Sequence, residues 1–290
     1  MKNVKTALLS SLLTLAVAFG TMTAAVLIEP PGVELPILMY HHVADVGDSV
    51  VTVSLGLFKK QLDYLAENGY ETVSFDEIIA YSDGKDVELP EKPVAIVFDD
   101  GYESNYLLAY PELKKRGDRA TICLIGSCVG KSTYKETGVP MLPYFSWDEA
   151  REMRDSGLIS LGSHTYDMHQ YAPLESGQAR DGVIQFEDES NADFAEIICE
   201  DYTKMSELFE TELGQNIEIF AYPNGKYSSL SESVIRSLGA KVTLTTRVGL
   251  NRIRHGDPES RYLLRRYSIN DTTDLETLQS YLDGKIPRNS

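Results

Sequence analysis

The sequence predicts an α/β fold, a distorted (β/α)7-type barrel in a single domain, and three observations carry that expectation. Strand-like and helix-like runs alternate from residue 36 to the end of the chain, the grammar of a parallel sheet covered by helices. The run Pro93-Val94-Ala95-Ile96-Val97-Phe98 is apolar without interruption, which suits a strand buried on both faces. About seven strand–helix units can be counted, near the number that closes a parallel barrel.

Each element follows from a local pattern. A strand is expected at 36–40. Phe58, Leu62 and Leu65 recur on one face and predict a helix over 58–68, with a short strand at 71–74. The central strand at 93–98 is followed by a helix over 103–116, closed by Gly117, and a strand at 120–125. Ser146-Trp147-Asp148-Glu149 has the form of a capping box, so a helix should run from there to Asp155, before a strand at 158–163. The longest helix is expected over 193–213, ended by Gly214, with a strand at 217–222. A helix at 229–238, strands at 241–246 and 262–267, and a helix at 275–282 complete the series. The polar stretch 175–191 has no clean period and predicts a long loop, a kind of segment that often carries function.

With 290 residues, 42% apolar and 24% charged, the chain has the composition of an ordinary globular protein. A net charge of −17, from 27 basic and 44 acidic residues, argues against nucleic acid as a partner, because phosphates require a basic face. The acidity suits neutral or cationic partners, and equally a solvated surface. Lys2 and Lys5 precede an almost uncharged stretch at 7–28, long enough to cross a bilayer, with small residues at Ala24 and Ala25 that also suit cleavage. Residues 1–28 are therefore expected as a signal peptide or transmembrane anchor, 29–35 as a linker and 36–290 as the folded domain, at the cell surface or outside the cell. Three cysteines, Cys123, Cys128 and Cys199, exclude a disulfide scaffold. Cys123 and Cys128 can bridge in an oxidising compartment or simply pack.

Three expected strands end in polar residues on what would be one rim. The first ends in Asp99-Asp100-Gly101. Two adjacent carboxylates at the tip of a buried strand are costly unless a cation compensates them, the alternative being a turn that caps the next helix. The second leads into His164-Thr165-Tyr166-Asp167-Met168-His169, which contains two of the five histidines. Two imidazoles with one carboxylate form a common metal set with positions left for water. The third breaks at Tyr222-Pro223-Asn224-Gly225, a turn whose backbone N–H groups can face a substrate oxygen or serve the turn alone.

These segments resemble the polysaccharide deacetylases of carbohydrate esterase family 4, the NodB homology domain. Val97-Phe98-Asp99-Asp100 matches the family motif T-F-D-D, and His164-Thr165 to His169 matches H-[ST]-x-x-x-H. The opening Pro36-Ile37-Leu38-Met39-Tyr40-His41-His42-Val43 and the segment 146–165 resemble the branch of poly-N-acetylglucosamine deacetylases, and the likeness spans roughly residues 36–270. The resemblance implies removal of N-acetyl groups from a polysaccharide, with release of acetate. It implies a divalent metal, zinc before cobalt or nickel, held by Asp100, His164 and His169, with Asp99 as base. It also places the Asn224 backbone N–H on the oxyanion and Tyr222, Pro223 and Gly225 beside the substrate.

Two departures accompany this likeness. The family's R-x-P-Y-G stands here as Ala221-Tyr222-Pro223-Asn224-Gly225, without the arginine that orients the base, and the late L-x-H segment that supplies an acid is absent. Arg265 or Arg266 is the candidate replacement, against a plain surface salt bridge. As acid, His41 ranks ahead of His255. The rival expectations are a glycan-binding pseudoenzyme of the same fold, an O-acetyl esterase acting on xylan-type chains, and a metal-free glycosidase with paired carboxylates.

Overall fold

The computed structural model describes residues 32–285 except Asp48, so the apolar stretch at 7–28 and the first residues of the expected linker lie outside the described residues. The strands and helices run β1 (Gly32–Leu35), β2 (Ile37–Tyr40), β3 (His42–Ala44), β4 (Thr52–Ser54), α1 (Leu55–Glu67), β5 (Glu71–Thr72), α2 (Phe75–Ser82) and β6 (Pro93–Asp100). They continue with α3 (Tyr110–Arg116), β7 (Ala120–Leu124), α4 (Trp147–Asp155), β8 (Ile159–Ser163), α5 (Asn191–Leu208), β9 (Ile219–Ala221) and α6 (Ser229–Ser237). The last are β10 (Val242–Leu244), β11 (Asn251–Arg254), β12 (Tyr267–Ser268) and α7 (Leu275–Leu282).

The main sheet is parallel and ordered β10-β9-β8-β7-β6-β2-β12, with β5 added to the start of β6. Its two edges are joined by one segment. Leu264 bridges Leu244 of β10, the Arg266 N–H donates to the Arg247 carbonyl at 2.8 Å, and Tyr267 and Ser268 then pair with Leu38 and Met39 of β2. This curls the sheet into the distorted barrel that the count of units predicts.

Strand alternation divides the core. Ile37, Ala95, Val97, Cys123, Ala221 and Leu244 form one buried cluster, while Leu38, Tyr40, Ile96, Phe98, Ile122 and Phe220 belong to a second, larger one that includes helical residues such as Phe58, Met153 and Phe194. Each fully buried Ile, Leu, Val, Met or Phe among them contributes about 1.5–3 kcal/mol. Asp99 follows Val97 in parity and so continues the row of Ala95 and Val97 at the end of β6.

One expectation is corrected and one helix is added. The linker ends at residue 31: Gly32–Leu35 is a strand, paired antiparallel from Gly32 with Arg254 to Leu35 with Asn251. Leu35 is fully buried there. Helix α2 was not foreseen, although Ser74 and Glu77 form a reciprocal capping box at its start. The helix expected over 103–116 is present, with a wide turn at Asn105–Ala109 inside it, and the long helix widens likewise at Phe209–Leu213. The stretch 175–191 is a long loop with no helix or strand before α5, as its composition predicts.

Candidate metal centre

The C-terminal ends of β6 and β8 bring four expected residues together. Asp99 and Asp100 close β6, and Asp100 adopts φ +74° before Gly101 at φ +90°. A side chain at Gly101 would press on Leu124 and Phe145, so the tight turn that parts the two carboxylates needs glycine. His164 follows β8, and its loop turns back at Thr165, φ +73°, to present His169. That loop is pinned from behind: the Asp201 carboxylate accepts the Tyr166 and Asp167 N–H groups, each at 2.8 Å.

Hydrogen bonding fixes which nitrogen of each ring carries the hydrogen. His164 Nδ1 lies 2.8 Å from the Ala221 carbonyl, and His169 Nδ1 lies 2.9 Å from Asp181 Oδ1. Both partners accept, so Nδ1 is the donor in each ring, and in a neutral imidazole that leaves the lone pair on Nε2. Those lone pairs converge on Asp100 Oδ1, at 3.6 Å from His164 and 3.8 Å from His169. Asp100 Oδ1 is buried and has no hydrogen bond among the described residues. Three candidate ligand atoms within 4.8 Å of one another fit a divalent cation. Burial lowers the pKa of His164 despite the two carboxylates beside it, which keeps the imidazole neutral as a ligand must be.

Asp99 has a different environment. It is 2% exposed, and Arg266, fully buried, donates from Nη1 to its Oδ1 at 2.7 Å and from Nε to the Thr245 carbonyl at 2.8 Å. Burial alone would raise the Asp99 pKa, but the charge of Arg266 and its hydrogen bond hold it well below the usual carboxylate range. The arginine on Asp99 is thus Arg266 rather than Arg265, and the surface salt bridge is excluded as its reading. Breaking such a buried pair is costly, because one charge is left uncompensated.

The third expected segment is only partly at the rim. Asn224, at φ +53°, lines the same groove as Asp100 and His169 and donates from Nδ2 to Asp181 Oδ1 at 2.7 Å. Tyr222 is fully buried and points its hydroxyl to Glu232 Oε2 at 2.7 Å, and Pro223 is buried too, so neither side chain reaches the groove. Gly225 is backed by Thr246, which would collide with any side chain there. His41 is half-buried at the end of β2, with Nδ1 buried and unpaired among the described residues. His255 is exposed, bonded to the Lys85 carbonyl and edge-on to Tyr81, in keeping with its poor fit to the site.

The groove has a volume of about 370 Å³ and is walled by Tyr102, Tyr134, Tyr144 and Tyr171 beside Asp100 and His169. All three cysteines are free. Cys123 is buried in the core, and Cys128 lines the groove with its thiol pushed up to about 11 by burial. Asp181 and Asp201 were missed in the sequence. Asp181 sits in an aperiodic loop and Asp201 on a helix otherwise rich in surface acids, so neither carries a local signal. Three of the five non-glycine residues at positive φ among the described residues, Asp100, Thr165 and Asn224, border this site, which is where such strain collects.

Comparison with known proteins agrees with this geometry. A family model described as polysaccharide deacetylase matches residues 86–243. The chain is 30% identical over 243 residues to a poly-beta-1,6-N-acetyl-D-glucosamine N-deacetylase of Escherichia coli (strain K12), covering 78% of this chain and 36% of that protein. The chain thus spans about a third of that relative's length. Among solved structures, a de-N-acetylase from Aggregatibacter actinomycetemcomitans superposes with a TM-score of 0.72 at 26% identity, covering 86% of this chain and 99% of the other. IcaB from Ammonifex degensii superposes at 0.70 with 29% identity, covering 88% of this chain and 99% of that one.

Proposed function

The chain belongs to the polysaccharide deacetylase family, and from that membership and the geometry of its rim we propose that it hydrolyses N-acetyl groups on a polymer of N-acetylglucosamine-type units, releasing acetate. The observation that carries this reading is the convergence of Asp100 Oδ1 and the two Nε2 atoms, within reach of a separate buried carboxylate held by Arg266.

Asp100, His164 and His169 would hold a divalent cation, with zinc favoured by the imidazole-rich set and cobalt or nickel as substitutes. Such a cation supplies Lewis acidity, acidifying water and polarising an acetamide carbonyl. Asp99 takes the proton as water attacks. Its Oδ1 is occupied by Arg266, which leaves Oδ2, 4.0 Å from His164 Nε2, to face the reacting atoms. Arg266 keeps that carboxylate ionised and fixes its plane, the task of the arginine missing from the third motif. The Asn224 backbone N–H, in a residue that lines the same groove, is the donor assigned to the developing oxyanion. His41, at the end of β2 with a buried, unpaired Nδ1 among the described residues, returns a proton to the departing amine. That amine is cationic near neutral pH and meets a chain of net charge −17.

The pseudoenzyme reading rests on a missing arginine and an unassigned acid; Arg266 supplies the first, and His41 is the candidate for the second. The stretch at 7–28 supports action at the cell surface or outside the cell, by cleavage or by anchoring; no helix of the described residues is long and apolar enough to cross a membrane. Acetate release from poly-N-acetylglucosamine oligomers, measured with the metal content of the same sample, tests the proposal. Chelation should abolish release and zinc restore it. Turnover that survives complete removal of metal would sink it.

A further inference from the structure

The two histidines of the centre are oriented by different means. His164 Nδ1 is held by a main-chain carbonyl, that of Ala221, which no substitution removes. His169 Nδ1 is held by a side chain, the Asp181 carboxylate. We infer that Asp181 is a positioning residue that sets the tautomer and direction of His169 and ties it to the Asn224 turn; this rests on the metal centre proposed above.

The long polar loop places Asp181 with some care. The Gln170 N–H donates to the Arg180 carbonyl at 3.1 Å, the Gly182 N–H to the Met168 carbonyl at 2.8 Å, and the Val183 N–H to the Lys226 carbonyl at 2.9 Å. The loop is therefore stitched to the histidine segment on one side and to the strand-end turn on the other. Val183 is fully buried, and Gly182 takes φ +131°, where a side chain would run into Lys226. Asp181 lies between the two seams. Its Oδ1 accepts from both His169 Nδ1 and Asn224 Nδ2, and its Oδ2 accepts from Lys226 Nζ at 3.1 Å.

An ionised carboxylate has no hydrogen to give, so His169 must carry its own on Nδ1 and keep the Nε2 lone pair toward Asp100. His169 is 27% exposed, and without Asp181 the ring is free to turn or to carry its hydrogen on Nε2, which would aim a donor at the cation site. Partners of this kind are worth about 10- to 100-fold in metal affinity. Because Asn224 shares the same oxygen, one carboxylate links the ligand geometry to the turn whose N–H faces the oxyanion.

The test is a zinc titration of the metal-stripped full-length protein in competition with a chromophoric chelator, with the melting temperature of each apo variant measured alongside. Asp181→Ala should weaken zinc binding about 10- to 100-fold with apo melting unchanged. Asp181→Asn, whose amide oxygen still accepts from Nδ1, should recover most of that loss. Lys226→Ala, which touches only Oδ2, should bind zinc as the wild type does. If Asp181→Ala stays within about two-fold of wild type while Asp100→Ala loses zinc, the inference about Asp181 falls and the centre stands. An Asp181→Asn variant as weak as Asp181→Ala overturns the tautomer argument. Unchanged zinc binding in Asp100→Ala overturns the centre itself.

Discussion

The two sides of the rim are built in different ways. On one side, β6 and β8 deliver Asp99, Asp100, His164 and His169 as contiguous pieces of sequence, each at or just past a strand end. On the other, Arg266 and Asn224 arrive as single residues, one from the segment that joins the sheet's edges and one from a turn at positive φ. The first side owes its geometry to local chain direction. The second owes it to closure of the sheet, so its residues work only if strands more than a hundred positions apart pair in register. Asp99 is where the sides meet, through its bond to Arg266 across 167 positions of sequence.

Separating the two carboxylates of the first side should give the largest effect. Asp99→Asn should cut kcat for acetate release by about 100- to 10,000-fold, the usual worth of a general base, while bound metal stays at the wild-type level. Asp100→Ala should lose metal and turnover together. Metal analysis and acetate release on the same preparations read both. An Asp99→Asn enzyme with wild-type kcat would end the division of labour.

Arg266 probes the second side. Arg266→Ala leaves Asp99 buried and unpaired, which should cost about 3–5 kcal/mol of stability, read by urea denaturation. Arg266→Lys keeps the charge but loses the planar fork that reaches Asp99 and the Thr245 carbonyl together, so it should be stabler than Arg266→Ala yet remain below wild type in kcat. A kcat equal to wild type in Arg266→Lys would mean that charge alone, and not orientation, is what Asp99 needs.

This contrast also explains what could be read from the sequence. The strand at 93–98, the capping box at Ser146 and the Asp-Asp and His…His pairs depend on neighbours in the chain, and they lie where the pattern puts them. The metal set is legible because its residue types are scarce and its spacings short. Arg266 could only be listed beside Arg265, because strand parity near 262–267 is broken by the turn at Pro258–Arg261 and by Leu263 at φ +53°. The resemblance of its motif put Tyr222 at the substrate, yet the alternation that β9 sets up sends its ring into the core. Asp181 and Asp201 owe their roles to tertiary contacts alone and left no pattern to find.

The support behind the histidine loop should show as a pH dependence. Burial raises the Asp201 carboxyl to about 6, against the pull of the two N–H groups it accepts, while an unfolded aspartate titrates near 3.9. A raised folded pKa means that the native state holds the proton more tightly. Its stabilising share is full below about pH 4 and is lost as pH rises through about 6, amounting to about 2–3 kcal/mol. Asn does not titrate. The stability of wild type relative to Asp201→Asn, from urea midpoints at about pH 4.5, 5.5 and 7, should therefore fall across that window. A difference that stays flat would show that Asp201 titrates as it does in the unfolded chain.

The smallest effect is expected behind the turn of the second side. Tyr222 donates to Glu232 Oε2 and Thr243 donates to Oε1 at 3.1 Å, so this buried carboxylate is fastened at both oxygens behind the turn that carries Asn224. Tyr222→Phe removes one of these bonds without opening a cavity, for a loss of about 1 kcal/mol in the urea midpoint. If the Asn224 main chain alone serves the oxyanion, kcat should hardly change, because Glu232 keeps its bond to Thr243 and the turn keeps its backbone bonds from Gly225 to Tyr222 and from Lys226 to Pro223. A fall in kcat larger than the fall in stability would instead make the Tyr222–Glu232 pair part of what aims the turn. The second side would then depend on its buried scaffold as closely as Asp99 depends on Arg266.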